Sequence, residues 1–131
     1  MTASVKASVV AAMARMMVLP NADATSLATD RFLLLLLALF GGMMTAYLVS
    51  GGNAYWTFSG GLTGLISASA GNDLYHPAVA LGIAAVGTTM AYKMHNWVEN
   101  KFKIDDAVGA VAVHGYCGLF GGIVAGFALW G

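Results

Sequence analysis

The sequence predicts an all-α integral membrane helix bundle, and three observations carry that prediction. Of its 131 residues, 59% are apolar and only 9% are charged, against about a quarter charged in soluble domains. Long stretches carry no charge at all, the clearest being Phe32 to Ser50 (FLLLLLALFGGMMTAYLVS). Glycine is abundant, with 17 residues, and several recur at the four-residue spacing that lets helices approach closely in lipid. The same composition excludes other classes. Six basic against six acidic side chains leave no net charge and so no nucleic-acid footprint. Disorder needs low hydrophobicity and high net charge, and the single cysteine, Cys117, excludes an internal disulfide and any multi-thiolate metal site.

About four transmembrane helices are expected, preceded by an N-terminal amphipathic helix. The stretch Val5 to Leu19 favours helix, with Lys6, Arg15 and a methionine cluster, and no acid precedes Asp23. It reads as an interfacial helix, as a degenerate first span with Arg15 snorkelling, or as a basic, acid-poor targeting segment. The interfacial or partner-packed helix is preferred, which divides the chain into an N-terminal amphipathic or partner-binding segment, 1–30, and a transmembrane unit, 31–131. Crossing the hydrocarbon takes roughly 20 mostly apolar residues. The expected spans are Phe32 to Ser50, the short Gly- and Ser-rich Ala54 to Ala70, Pro77 to about Trp97, and Ala107 to Gly131.

Short connections between them make consecutive helices antiparallel. Pro77 suits the first turn of the third helix, and Asn72 and Asp73 suit the turn before it. Asp105 and Asp106 stand where carboxylates cap the unpaired N–H groups of the fourth helix and meet its positive dipole end. Lys93, Lys101 and Lys103 lie on one side of the bundle and Arg31 on the other. The positive-inside rule puts the loop Val98 to Asp106 in the cytoplasm and residue 131 outside.

Ala110, His114, Gly118 and Gly122 recur every four residues and share one broad face of the fourth helix. Gly118-x-x-x-Gly122, Gly122-x-x-x-Gly126 and, on the second helix, Gly60-x-x-x-Gly64 are small-residue ladders for helix packing. Packing does not account for His114, because an imidazole at mid-span is costly unless neutral and hydrogen-bonded. It is either a functional residue or an interhelical hydrogen-bond partner of Ser59, Thr63 or Ser67. No second ligand lies at helical spacing, so no metal site is expected. His76 and His95 fall at helix ends, and Trp56, Trp97 and Trp130 fall where an aromatic belt belongs. Cys117, one turn from His114, reads as a buried and inert thiol. Ligation of a haem or chlorophyll by His76, His95 or His114 is a reserve reading, and no cofactor is expected. The sequence contains no nucleophile elbow, P-loop, dinucleotide fingerprint or CxxC, which points away from an enzyme.

The run KIDDAVGAVAVHGYCGLFGG, Lys103 to Gly122, resembles the ammonium transporter (Amt/Rh) family, whose late core helix reads as paired aspartates, VHG and a glycine-rich tail. GGLTGLISASAG, Gly60 to Gly71, is similar to the family's preceding segment. The resemblance spans about Phe32 to Gly131 and implies the C-terminal half, the last four helices of the second of two inverted repeats. It implies that His114 corresponds to the second histidine of the family's pore pair. It likewise makes Asp106 the structural acid at the cytoplasmic helix start, and Gly115 and Gly118 close-packing glycines. In the family, ammonium is recruited outside, loses a proton and crosses largely as ammonia along that pair. The physics suits an imidazole, since desolvating a cation is expensive and a neutral ring accepts and relays a proton. Against the family pattern, these residues hold no counterpart of the first repeat, of its pore histidine and buried aspartate, or of its outer aromatic site. Ala107 stands where proline is common, and Gly109 where some members carry an acid.

Two function classes follow from the resemblance. One is half of an ammonium transporter, conducting ammonium or ammonia only when a second copy or another chain completes the pore. The alternative is a non-transporting structural subunit, derived from such a transporter, in a larger membrane complex. A split gene product without its own function is a third. The expected partners are the lipid bilayer, other membrane subunits or a second Amt-like half, and ammonium or ammonia if the chain conducts, with no nucleic acid. The expected location is a bacterial inner membrane or an organelle membrane.

Overall fold

The computed structural model describes residues 21–103, 105, 106 and 109–130, with side chains from residue 28 onward. The helix expected over Val5 to Leu19 lies outside the described residues. The chain divides into two units, Met1–Asp30 and Arg31–Gly131, and the bundle discussed below belongs to the second. The described elements are α1 (Asn21–Ser50), of which residues 31–50 belong to this unit, α2 (Ala54–Ser69), α3 (Pro77–Phe102) and a π-helical turn (Val111–Tyr116) that runs directly into α4 (Cys117–Trp130).

These elements depart from the expected spans at their ends. α1 begins at Asn21 rather than Phe32, and α3 continues past Trp97 to Phe102. On the fourth segment the described helical structure begins at Ala110 and Val111, after the Asp106 cap and a positive φ of 63° at Gly109, while the expected start at Ala107 lies outside the described residues. Among the described residues, two helical stretches are long and apolar enough to cross a membrane, Ala28–Ser50 and Val111–Trp130. α2 has 16 residues, about 24 Å of helix, and α3 carries Lys93, Glu99 and Lys101 in its last third.

The bundle is packed with small side chains and presents its large ones outward. The largest fully buried side chains are Thr63, Thr88, Cys117 and Ser67. Ala38 of α1, Ala68 of α2 and Ala84 of α3 form a buried contact set, while Leu34, Tyr75, Ala80 and Ile83 form another, flanked by Phe120 and Val124. By contrast Leu48, Phe58, Leu119 and Phe127 are all exposed. Water would not tolerate so large an apolar surface. In lipid the outer surface needs no burial, and helix association rests on close packing of small residues and on interhelical hydrogen bonds.

Glycine sets the closest crossings. A Cβ on Gly42 of α1 would run into the Gly60 carbonyl of α2 and lie 3.0 Å from the Gly64 Cα. The ladder Gly60-x-x-x-Gly64 therefore does pack, against Gly42. On α4 the packing glycine is Gly121, whose Cβ would lie 2.6 Å from the Ser67 carbonyl oxygen and 3.1 Å from that of Ile66. Gly115, Gly118, Gly122 and Gly126, also expected to serve helix packing, are exposed in this bundle. Among the described residues, a Cβ on Gly118, Gly122 or Gly126 meets nothing within 4 Å, and one on Gly115 meets only a Val111 methyl at 3.6 Å. The buried column is Cys117, Gly121 and Ala125, one residue out of register from the expected one and hence about 100° around the helix.

Buried polar groups tie these helices together. Thr63 Oγ1 donates to the Gly60 carbonyl at 2.8 Å and lies 2.8 Å from Thr88 Oγ1, which also approaches that carbonyl at 3.4 Å. The Cys117 thiol donates to the Gly87 carbonyl at 3.7 Å. At the helix starts, Asn53 Oδ1 accepts from the Trp56 N–H at 3.2 Å. His76 Nδ1 accepts from the Ala78 N–H at 3.4 Å, with Pro77 in the first turn.

Candidate functional site

The connection from α3 to the fourth segment decides where His114 stands. α3 ends at Phe102, and Lys103 after it adopts a left-handed conformation (φ 53°) and returns its N–H to the Glu99 carbonyl at 3.0 Å, a common way to close a helix. The chain then turns back, and Asp106 caps the π-helical turn. Its Oδ2 accepts the backbone N–H of Val111 at 3.1 Å and of Ala112 at 3.3 Å. Its carbonyl accepts the Gly109 N–H at 2.7 Å. Gly109 needs a left-handed backbone, and a Cβ there would lie 2.7 Å from the Tyr55 hydroxyl. Asp105, the other expected capping residue, is exposed and makes no bond to the described helix start.

His114 sits within the π-helical turn Val111–Tyr116. Such a turn widens the helix by one residue and is frequent at functional sites. The turn buries Ala112 and Val113 and leaves His114 exposed, on the side where Gly118 and Gly122 also lie open. Thr63, one of its expected partners, is engaged instead with Thr88 and Gly60. An imidazole on the open side of an apolar helix is available to whatever covers that side.

His95 is the residue that sequence reasoning missed. It is buried, and both ring nitrogens face carboxylates: Nε2 lies 3.2 Å from Glu99 Oε1, and Nδ1 lies 3.7 Å from Asp106 Oδ2. Trp56 packs edge-on against its ring with centroids 4.9 Å apart and against Tyr92 at 5.0 Å. Trp56 is thus a buried anchor at 7% exposure, not a belt residue, whereas Trp97 and Trp130 are exposed. The pair His95 and Glu99, four residues apart on α3, is the one signal the sequence offers. Asp106 comes from beyond the turn and could not be placed by spacing. His76 serves as a helix cap. Among the described residues no group of three or more His, Cys, Asp or Glu side chains is placed to hold a metal ion.

Small-residue packing, an apolar exterior and an imidazole on the open side of a capped apolar helix define an all-α membrane bundle. The chain belongs to the Ammonium Transporter Family, whose profile matches residues 20–130. It is similar to "Ammonium transporter Amt1" of Methanocaldococcus jannaschii, 32% identical over 90 residues that make up 69% of this chain and 23% of that protein. It is also similar to "Ammonium transporter Amt2" of the same organism, 31% identical over 90 residues, or 69% of this chain and 21% of that protein. The chain thus spans less than a quarter of the length of either relative. No solved structure matches it significantly.

Proposed function

We propose that the chain is one part of an ammonium-conducting membrane protein, in which His114 lines a conduit completed by a second copy or by another chain. The observation that carries this reading is the open side of the fourth segment. There an exposed His114 continues into Gly118, Gly122 and Gly126, where a Cβ would meet no neighbour among the described residues. An uncovered glycine column in lipid is a surface onto which another helix fits closely. A neutral imidazole beside it accepts and relays the proton that ammonium sheds on entering an apolar passage. Asp106 serves by fixing the helix start beneath it. In this reading the bundle, residues 31–131, is the transmembrane unit, residues 1–30 are a separate interfacial or partner-binding segment, and the protein resides in a bacterial inner membrane or an organelle membrane.

A second reading is a non-transporting subunit of a larger membrane complex. It is favoured by the lack, among the described residues, of a second imidazole on the open side, since His76 caps α3 and His95 is buried. Native mass spectrometry of the gently extracted protein separates the two. Recovery as a homo-oligomer, or with a chain supplying the missing repeat, supports the conduit. Ammonium uptake by liposomes bearing that assembly should then be lost on His114→Ala. Recovery with unrelated subunits, and no uptake, supports the structural subunit instead.

A further inference from the structure

We propose that His95 is a positioning residue: protonation of its imidazole locks Asp106 onto the start of the π-helical turn and so fixes the backbone that presents His114. The ring lies between two carboxylates, Glu99 Oε1 at 3.2 Å from Nε2 and Asp106 Oδ2 at 3.7 Å from Nδ1. A protonated imidazole carries an N–H on both nitrogens, whereas the neutral ring carries one. In the protonated state each N–H faces an acceptor and the positive charge is shared between two anions. In the neutral state one nitrogen turns a lone pair toward a carboxylate, and that contact becomes repulsive. The proton comes from, and returns to, the water at this end of the bundle, which Glu99 reaches with 37% of its side chain exposed.

The two carboxylates do not respond alike. Glu99 is on α3 itself and can swing its carboxylate into solvent. Asp106 is 15% exposed, and the same Oδ2 that faces His95 accepts the N–H groups of Val111 and Ala112. A change in charge on His95 is therefore felt by the atom that caps the turn. His114 follows two residues after Ala112. Among the described residues, Glu99 and Asp106 are the charged groups that face the ring. α2 faces it with Trp56, which is flanked by Tyr55 and Tyr92. The purpose of the device rests on the role proposed for His114, but its test does not.

The test uses the full chain in lipid nanodiscs with Trp97→Phe, Trp130→Phe and His114→Gln, so that Trp56, 4.9 Å from the His95 ring, is the sole tryptophan and no imidazole stands at position 114. Acidification should quench Trp56 in one step, and the amide resonances of Val111, Ala112 and Gly115 should move through the same step. His95→Gln should abolish both responses. Asp106→Asn, which keeps a side-chain oxygen to cap the turn, should leave the Trp56 step and remove the amide step. Glu99→Gln should leave both. Amides that ignore the Trp56 step, or that titrate unchanged in His95→Gln, would overturn the proposal. Neither readout involves ammonium, so failure of transport and failure of the latch are told apart.

Discussion

The side-chain oxygens of Thr63 and Thr88 lie 2.8 Å apart between α2 and α3, and both residues are fully buried. Interhelical hydrogen bonds in membrane proteins average about 0.6 kcal/mol, with a maximum near 1.7. Thr63→Val and Thr88→Val should each destabilise the bundle by about 1 kcal/mol. The Thr63–Thr88 bond is lost in either single variant and cannot be lost twice, so the double variant should lose less than the sum. Unfolding in mixed micelles across the full mutant cycle measures the coupling.

Gly42 and Gly122 should respond oppositely to the same change. Gly42→Val drives a side chain into the α2 backbone and should cost at least 1–3 kcal/mol, the usual range for overpacking. Gly122→Val points into open space and should change the stability of the isolated chain by less than about 0.5 kcal/mol. If another chain covers that side, Gly122→Val should instead reduce recovery of the assembly in native mass spectrometry.

Gly109→Ala should destabilise by about 1–3 kcal/mol, since a non-glycine residue is held in the left-handed region and its Cβ meets the Tyr55 hydroxyl. Tyr55→Phe should recover the steric part of the loss and leave the backbone part. Thermal unfolding of the two single variants and the double variant separates these contributions.

Tyr75, in the turn before α3, gives a pH dependence of known sign. Burial, and secondarily the negative charge of Asp73, push its hydroxyl above the ordinary tyrosine value, which is about 10. The folded chain thus holds this proton more tightly than the unfolded chain does. Its contribution to stability is fully present below about pH 10 and is lost as pH rises through the elevated value. Tyr75→Phe should remove that alkaline loss while leaving stability at neutral pH within about 1 kcal/mol, as measured by denaturation between pH 8 and roughly pH 11.

The leucine-rich α1, the proline at the start of α3 and the Asp106 cap were legible because each is a local rule, satisfied within a few residues of sequence. The partner of His95 was not, because Asp106 reaches it only after Lys103 turns the chain out of α3 in a left-handed conformation. Trp56 was misread for the same reason: its position near a helix start suggested an interface, whereas its ring closes on a histidine of another helix. The glycines of α4 pose a different problem. Gly121 and Gly122 are adjacent, so either could face α2, and spacing offers no means to choose. For Gly42, the two glycines inside the leucine run were visible, but their fit onto Gly60 and Gly64 depends on how the helices cross.

The π-helical turn over Val111–Tyr116 also acts as a phase shifter in the last helix. The wide turn adds one residue, so that the azimuth of His114 and that of the column Cys117, Gly121 and Ala125 are set independently. Because a π-turn rotates less per residue than an α-helix, deleting a single residue there would return the helix to an ordinary pitch and leave the segments on either side in phase. Such a deletion would re-aim the residues inside the turn, His114 among them, while the column that α4 presents to α2 stays in place. Length changes in these six residues should therefore be a more sensitive handle on this side of the bundle than substitutions along it.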